Sequence, residues 1–318
     1  MVILAVSEKA ERRMIDAPKY FHNHDFLAWM EIMTQPNGKK ITLRCMVDNS
    51  ARHGSALWGE HGIAFSIETS QGSLLFDSGQ SGDVLLHNAE KMEVDLGRCD
   101  ALALSHAHYD HTGGLERFFS LSRPGIPLYA SPDLFRERYA LIDGKAHSIG
   151  LRLSQDIVAG QTRLCLSSEP VEILPGIWTT GEITERKEFV GGSSYLKIRV
   201  GETWQPDPYQ DDFSLVMQTS QGLVVVCGCC HAGLLNTLAH VRRFFSQPIR
   251  AIIGGTHLVS AGPEILGHVV EVLREQDKGN IPDLYLNHCT GERALAILMQ
   301  AFGEKVHSCP AGTVLIFD

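Results

Sequence analysis

The most informative segment of the chain is SHAHYDHTGGL, residues 105–115. It places four metal-ligand side chains within six residues, directly after the apolar run ALALS and before a sequence typical of a helix. Because side chains alternate along an extended chain, His106 and His108 are expected to point to one side and hold a first ion. A turn into the helix would bring Asp110 and His111 to a second ion. The glycines are expected to let the backbone approach the ions closely.

The segments on both sides of this stretch follow one repeated order of elements. AFSIETS and SLLFDSG, separated by Gln71-Gly72, predict a hairpin, and SLVMQTS and LVVVCG, separated by Gln221-Gly222, predict a second. Strand–helix units follow each hairpin. This order predicts an α/β fold, a four-layer αββα sandwich of two mixed sheets with helices outside. Residues 135–210 show little periodicity and are expected to form loops over a site.

The chain divides by sequence pattern into an N-terminal extension, residues 1–40, and one catalytic domain, residues 41–318. The extension lacks the strand pattern of the rest of the chain. Whether it mediates a homodimer stays open. The first apolar run is too short for a signal peptide, and no stretch is long and apolar enough to span a membrane. We therefore expect a cytoplasmic protein whose eight cysteines are thiols.

The charge balance narrows the class of partner. The chain has 28 Lys and Arg against 37 Asp and Glu, a net charge of −9. This excess of negative charge disfavours binding to nucleic acid or to an anionic membrane surface. A small, anionic molecule is the expected partner, and Arg186 and Lys187 are candidates for holding it.

The segment HAHYDHTGGL resembles the HxHxDH signature of the metallo-β-lactamase superfamily, whose fold is an αββα sandwich. The resemblance extends over residues 41–318. The pieces GEHGIAFSIE, LLFDSGQS, CGCCHAGLLNT, GGTHL and NHCTGERA resemble one branch, the dihydropterin-ribofuranosylaminobenzene 5'-phosphate synthase group.

The resemblance also implies roles for residues at predicted strand ends. It makes His231 and His288 metal ligands, and it makes Asp77 a carboxylate that orients ligand histidines by hydrogen bonding. Much of the superfamily has Gly-Asp at one strand end, with the aspartate bridging two metals. Gly228-Cys229-Cys230-His231 stands in that region of this sequence. Whether a carboxylate bridge exists therefore stays open, and Cys229, like Cys230, is expected to line or underlie the site beside the ligands.

These residues together predict a metal-dependent enzyme. One or two zinc ions are expected, with manganese or iron as alternatives. Besides binding metal, Asp110 is a candidate catalytic residue, and His257 is expected to contact the substrate or transition state. A bound water whose pKa is lowered to about 7 would be the nucleophile.

Three functions remain open on sequence grounds. The first is hydrolysis of a small phosphorylated or ester metabolite. The second is a transferase resembling the pterin-linked synthase, in which the ions would bind a departing pyrophosphate while an arylamine carbon attacks a pterin methylene. The third is a redox protein with a diiron site or a dithiol formed by Cys227 and Cys230.

Overall fold

The structure is a computed structural model that describes residues 40–275 and 280–318. The predicted extension, residues 1–40, lies outside these ranges except for residue 40, so its boundary stays a prediction. The strands are β1 Ile41–Val47, β2 Ala64–Thr69, β3 Gly72–Phe76, β4 Ala101–Ala103, β5 Ile126–Ala130, β6 Arg138–Ile142, β7 Lys145–Ser148, β8 Thr162–Leu166, β9 Glu172–Leu174, β10 Ile177–Thr179, β11 Leu196–Val200, β12 Thr203–Pro206, β13 Ser214–Thr219, β14 Gly222–Cys227, β15 Ile249–Gly254, β16 Asp283–Leu286, β17 Val306–Ser308 and β18 Val314–Phe317.

Helices follow the strands at the positions where the apolar residues recur with helical spacing. They are α1 Asp83–Lys91, α2 Tyr109–Thr112, α3 Leu115–Phe119, α4 Gln155–Gln161, α5 Leu234–Phe244, α6 Pro263–Glu275 and α7 Glu292–Phe302. Of the helices in the described ranges, none has the length and apolar character that a membrane crossing requires.

The described strands form two seven-stranded sheets and one sheet of four. The first has the order β18-β1-β2-β3-β4-β5-β8 and the second β17-β16-β15-β14-β13-β10-β9. Both predicted hairpins are present, because β2 pairs with β3 and β13 with β14 in antiparallel register. Beyond each hairpin the pairing becomes parallel, from β3 to β4 and from β14 to β15. The sheets are therefore mixed, as predicted.

The two large sheets pack face to face around one apolar core. Phe65 and Phe76 from the first sheet share this core with Met217 and Val226 from the second. Burying each such side chain stabilises the fold by about 1.5–3 kcal/mol. On the outer face of the first sheet, a second apolar cluster joins Leu75 and Leu102 to residues of α1 and α3, while α7 packs against β17 of the second sheet. The predicted four-layer sandwich is confirmed.

The prediction of loops for residues 135–210 is wrong in large part. Four strands of this segment form a third sheet with the order β12-β11-β6-β7. In this sheet β6 and β11 alternate between buried and less buried residues, whereas β7 and β12 are exposed along their whole length. Such strands show little of the period-two hydrophobic pattern on which sequence-based assignment depends.

Candidate metal centre

The candidate site lies where strands of both large sheets end. Asp77 follows β3, and the Ser105 hydroxyl, just beyond β4, donates to Asp77 Oδ2 at 2.7 Å. Cys229 and His288 stand just beyond β14 and β16 in the opposing sheet. The two sets of strand ends approach closely at Gly228, where an added Cβ would lie 2.1 Å from Ser105 Oγ. Side chains from both sheets can therefore meet around one point.

The HxHxDH loop has the geometry expected from its sequence. His108 is still extended and immediately precedes α2, which carries Asp110 and His111. The ring centroids of His106 and His108 lie 4.5 Å apart, and those of His106 and His111 lie 4.1 Å apart. The backbone N–H of Ala107 donates to Asp211 Oδ2 at 2.8 Å, which holds the loop between its two histidines.

The glycines of this loop have a different role from the one expected. A Cβ on Gly113 would lie 2.0 Å from the carbonyl oxygen of Gln80, and one on Gly114 would lie 2.1 Å from that of Ser78. The glycines let α2 and α3 pack against the loop after β3. The loop is fixed there by Ser78, whose N–H and hydroxyl both donate to the carbonyl of His111.

One set of potential ligands combines His106, His231 and Cys229, whose ligand atoms all lie within 4.8 Å of one another. The ring of His108 lies 4.8 Å from that of His231, so it borders the same set. The Nε2 atoms of His106, His108 and His231 are buried and have no hydrogen-bond partner. The structure thus brings three of the predicted ligands together.

A second set combines Asp110, His111, His288 and again Cys229 within the same 4.8 Å limit. Asp110 Oδ2 lies 3.3 Å from His288 Nε2 and 3.7 Å from His111 Nε2. Cys229 Sγ lies 3.1 Å from His111 Nε2. All six predicted ligands therefore surround one small region, and Cys229 lies nearer to it than we expected.

Hydrogen bonds at the opposite ring nitrogens hold these imidazoles in place. His111 Nδ1 is 2.7 Å from Asp77 Oδ2, and His288 Nδ1 is 3.0 Å from Asn49 Oδ1. His231 Nδ1 donates to the carbonyl of Gly191 at 2.8 Å. Each contact leaves Nε2 facing the cluster, which is the arrangement a metal-binding histidine needs. Asp77 lies where the resemblance places an orienting carboxylate.

The buried setting favours neutral imidazoles in the first set. Burial lowers the pKa values of His106 and His231 well below the usual range and lowers that of His108 to about 3. A neutral imidazole offers a lone pair to a metal. Burial also acts to lower the pKa of His111, but Asp77 and Asp110 outweigh it and raise that pKa to about 9.

The chemistry of these donors fits divalent metal ions. A buried polar atom without a partner costs about 1–3 kcal/mol, and three such nitrogens face the first set. Histidine nitrogen, carboxylate oxygen and thiolate sulfur are the ligands of zinc in proteins. An ion at the first set would give its unpartnered nitrogens a partner, and an ion at the second would lie against the negative charge of Asp110.

A cavity of about 580 Å³ opens directly onto these side chains. His257 lies in its wall, with its ring centroid 4.3 Å from that of His231 and its Nδ1 buried without a partner. Arg152, Tyr109 and Tyr195 also line the cavity, as do Ala140 and other residues of the third sheet. His257 thus lies where it could contact a molecule in the cavity, and its role as a substrate contact stays a prediction.

The structure does not bring Arg186 and Lys187 to this cavity. The guanidinium of Arg186 donates to three backbone carbonyls, those of Ile183, Pro208 and Tyr209, and so holds two loops together. Lys187 is exposed, with its Nζ 3.8 Å from a Glu185 oxygen. Neither side chain lines the cavity, so a substrate anion would meet Arg152 instead.

Sequence reasoning missed two residues beside the cluster. His61 lies in the cavity wall with its Nε2 3.3 Å from Asp110 Oδ2. Asn49 contacts His288 through its side chain. Histidine beside glycine just before a strand was a usable signal for His61, whereas Asn49 has no local signature because its contact spans 239 positions of the chain.

The Cys227 and Cys230 pair is poorly placed for redox exchange. Both side chains are fully buried, and the Sγ of Cys230 contacts the hydroxyl of Thr237 on α5 at 3.3 Å. A reactive dithiol needs access to its partner and a lowered thiol pKa. The neighbouring thiol of Cys227, together with burial, instead raises the pKa of Cys230 well above its usual value.

Backbone strain is concentrated around the cluster. Asp77, Cys230, His257 and His288 are non-glycine residues with φ values of 59°, 61°, 47° and 49°. Left-handed backbone at such residues costs energy and persists where the surrounding structure enforces it, often at functional sites. The four residues stand just beyond strands of both sheets, which marks this region of the molecule as the functional one.

Two comparisons identify what this chain is similar to. A family model described as the metallo-beta-lactamase superfamily matches residues 61–195, which include the HxHxDH loop. The chain also superposes on the crystal structure of a metal-dependent hydrolase of the β-lactamase superfamily with a TM-score of 0.73 and 27% identity, covering 86% of this chain and 98% of that one. Residues 61–195 thus carry a domain of the metallo-β-lactamase superfamily, a superfamily of enzymes, as predicted from the motif.

Two proteins of Methanocaldococcus jannaschii are similar to this chain over most of its length. One is a 7,8-dihydropterin-6-methyl-4-(β-D-ribofuranosyl)-aminobenzene-5'-phosphate synthase, 28% identical, with 87% of this chain and 97% of the relative covered. The other is an uncharacterised protein, 27% identical, with 81% and 94% covered. The similarity to the predicted branch is confirmed.

Proposed function

We propose that this protein is a metal-dependent hydrolase acting on a small phosphorylated or ester metabolite. The observation that carries the proposal is the set of unpartnered Nε2 atoms of His106, His108 and His231, buried beside a cavity. Two divalent ions would fit there, the first at His106, His108 and His231 and the second at Asp110, His111 and His288. Zinc is the ion that such a histidine-rich set favours, with manganese or iron as alternatives.

The ions, once bound, would activate a water molecule and neutralise charge on a phosphoryl or carbonyl oxygen. Side chains of the protein would orient the ligands of these ions and transfer protons to or from the substrate. His257 faces the cavity with an unpartnered Nδ1 and can hydrogen-bond a substrate oxygen or carry a proton to a leaving group. Asp77 holds the ring of His111 from behind, so the geometry is set before substrate enters.

The cavity wall selects the substrate by charge and shape. Arg152 carries a permanent positive charge and lies over the ring of Tyr109, 5.4 Å from its centroid. With Tyr195 on the same wall, the cavity offers aromatic surfaces beside one cation. A small molecule with an anionic group and a flat or apolar portion would fit this lining.

The test is an assay of metal-loaded protein on phosphodiesters, lactones and thioesters that carry an anionic group. We expect turnover of at least one class, with strong loss in His257→Ala although that variant keeps its metal. His268→Ala is a matched control, because His268 lies at the surface and pairs with Glu188. A fully loaded protein that hydrolyses none of these classes would overturn the hydrolase proposal.

A synthase is the second candidate, favoured by the similarity that extends over 97% of the named synthase. The aromatic cavity wall would suit the flat rings in that relative's product name. The two candidates differ in a measurable way. A synthase joins a pterin methylene to an aminobenzene ring only when both substrates are present, whereas a hydrolase turns over one substrate with water. Product formation that requires the arylamine would favour the synthase.

A further inference from the structure

We infer that Cys229 binds as a thiolate and is the ligand shared by both ions. The inference rests on the two-ion site proposed above and goes further by assigning the atom between the ions. The sequence alone predicts that Cys229 lies beside the ligands, and it does not predict that Cys229 is itself a ligand. When the sulfur binds, the thiol proton leaves to solvent and the sulfur contributes one negative charge.

The position of the sulfur carries the inference. Cys229 is the residue common to the two ligand sets, with its Sγ within 4.8 Å of the ligand atoms in each. It is 3.1 Å from His111 Nε2 in the second set. The residue is 3% exposed and lies at the cavity wall. A single atom in this place can reach an ion on either side.

The neighbouring nitrogens independently point to ions on both sides of this sulfur. His106 Nε2 and His231 Nε2 on one side have no hydrogen-bond partner, and His288 Nε2 on the other side faces the carboxylate of Asp110 at 3.3 Å. The three residues are 1%, 1% and 8% exposed, so water does not satisfy these atoms freely. Each nitrogen belongs to a residue of one of the sets that contain Cys229.

Charge balance gives a second reason for a thiolate. Two dications close together repel each other strongly unless an anion lies between them. In the described ranges, no carboxylate belongs to both ligand sets, because Asp110 occurs in the second alone. Asp77 accepts hydrogen bonds from Ser105 and His111, and Asp212 accepts one from the N–H of Ala232. The sulfur of Cys229 is common to both sets and would supply the negative charge once an ion displaces its proton.

The adjacent thiols are directed elsewhere and supply controls. The left-handed backbone at Cys230 turns its side chain towards α5, where Sγ meets Thr237. Cys289 Sγ contacts the carbonyl of Cys229 and the N–H of His257, each at 3.3 Å. Neither residue belongs to a ligand set. Cys230→Ser therefore removes a thiol one position away without removing the proposed ligand.

The test uses the full chain loaded with cobalt(II), because thiolate–cobalt bonds give a charge-transfer band in the near ultraviolet. We expect this band to grow on addition of the first equivalent and to change again with the second. Cys229→Ser should lose the band and at least one bound ion. Cys229→Asp should lose the band but keep two ions, because a carboxylate can replace the bridge. Cys230→Ser should match the parent protein.

The outcomes separate this inference from the function it rests on. If the parent protein binds two cobalt ions without the band, or if Cys229→Asp keeps the band, Cys229 is not a ligand while the two-ion site stands. If the band reaches its full intensity with one equivalent of cobalt and does not change with the second, the sulfur binds one ion and is not shared. If no cobalt binds, both the inference and the proposed function fail.

Discussion

At the scale of single residues, His106 and His108 should determine whether the protein holds metal. Replacing both by alanine removes one imidazole of the first set and the one that borders it, and we expect most bound metal to be lost. Both side chains are buried in a cluster of rings, so their removal leaves a cavity and lowers stability. Circular dichroism establishes that the variant is folded before its metal is measured. Metal content after dialysis, measured by mass spectrometry of the element, checks this.

A matched control is available in the same residue type. His87 lies stacked on Trp58 with ring centroids 3.7 Å apart and is outside both ligand sets. His87→Ala should retain the metal content of the parent. Unchanged metal in the double variant would show that this loop is not the metal site.

Asp77 should control how tightly the metal is held without touching it. Its Oδ2 lies 2.7 Å from His111 Nδ1, and the same carboxylate accepts from the N–H and hydroxyl of Ser105. Asp77→Asn keeps the shape but weakens these contacts, so metal affinity should fall by about 10–100-fold. Titration of metal into apo-protein measures this change.

The comparison variant for this experiment is Asp83→Asn. Asp83 is exposed at the start of α1 and pairs with Arg117 at 2.6 Å. Removing that charge should leave metal affinity as it is. Equal affinities in the two aspartate variants would show that Asp77 does not orient a ligand.

Sequence reasoning singled out the candidate ligands because each follows an apolar strand and precedes, or lies in, a turn or helix. Asp110 and His111 are adjacent, and His231 and His288 stand just after β14 and β16. Arg186 could not be placed from sequence, since a charged loop residue donates equally well to substrate or to backbone carbonyls. The closeness of Cys229 to both sets depends on how the two sheets meet, which no local pattern reveals.

At the scale of elements, a buried arginine ties the third sheet to the HxHxDH loop. Arg138 on β6 is fully buried and pairs with Asp133, Asp207 and Asp211 at 2.8, 3.1 and 2.7 Å. Asp211 in turn accepts from the N–H of Ala107, between the two histidines. The wall of the cavity and the metal loop are thus joined through one charge network.

Arg138→Met should destabilise the protein strongly, because it leaves Asp207 and Asp211 buried without their cation. We expect the free energy of unfolding to fall by about 3–5 kcal/mol. Arg136→Met is the control, since Arg136 pairs with Asp133 near the surface and such a pair contributes only about 0–1 kcal/mol. Urea unfolding measures both. Equal small losses would mean that the network does not hold the wall.

The elements that sequence patterns predicted well are those with one or two buried faces. Every residue of β13 and β14 is buried, and the turn between them contains Gln221-Gly222, so the hairpin was evident. The third sheet was not evident because β7 and β12 bury no residue. Their pairing depends on hydrogen bonds to β6 and β11, which leave no periodic signal in the side chains.

At the scale of the whole molecule, residues 1–35 should be dispensable for metal binding. They precede every residue of the candidate site, the first of which in the chain is Asn49. A variant that lacks them should fold and hold as much metal as the full chain. Metal content and thermal unfolding check this together. A shortened chain that folds but binds no metal would contradict it.

The central claim is that two divalent ions lie between the two sheets at the cavity. An anomalous difference map from crystals of the full chain grown with zinc tests it most directly. The account predicts two peaks per chain, one beside the Nε2 atoms of His106, His108 and His231 and one beside Asp110, His111 and His288. A map with no peak at these side chains, or with peaks at surface residues alone, would contradict it.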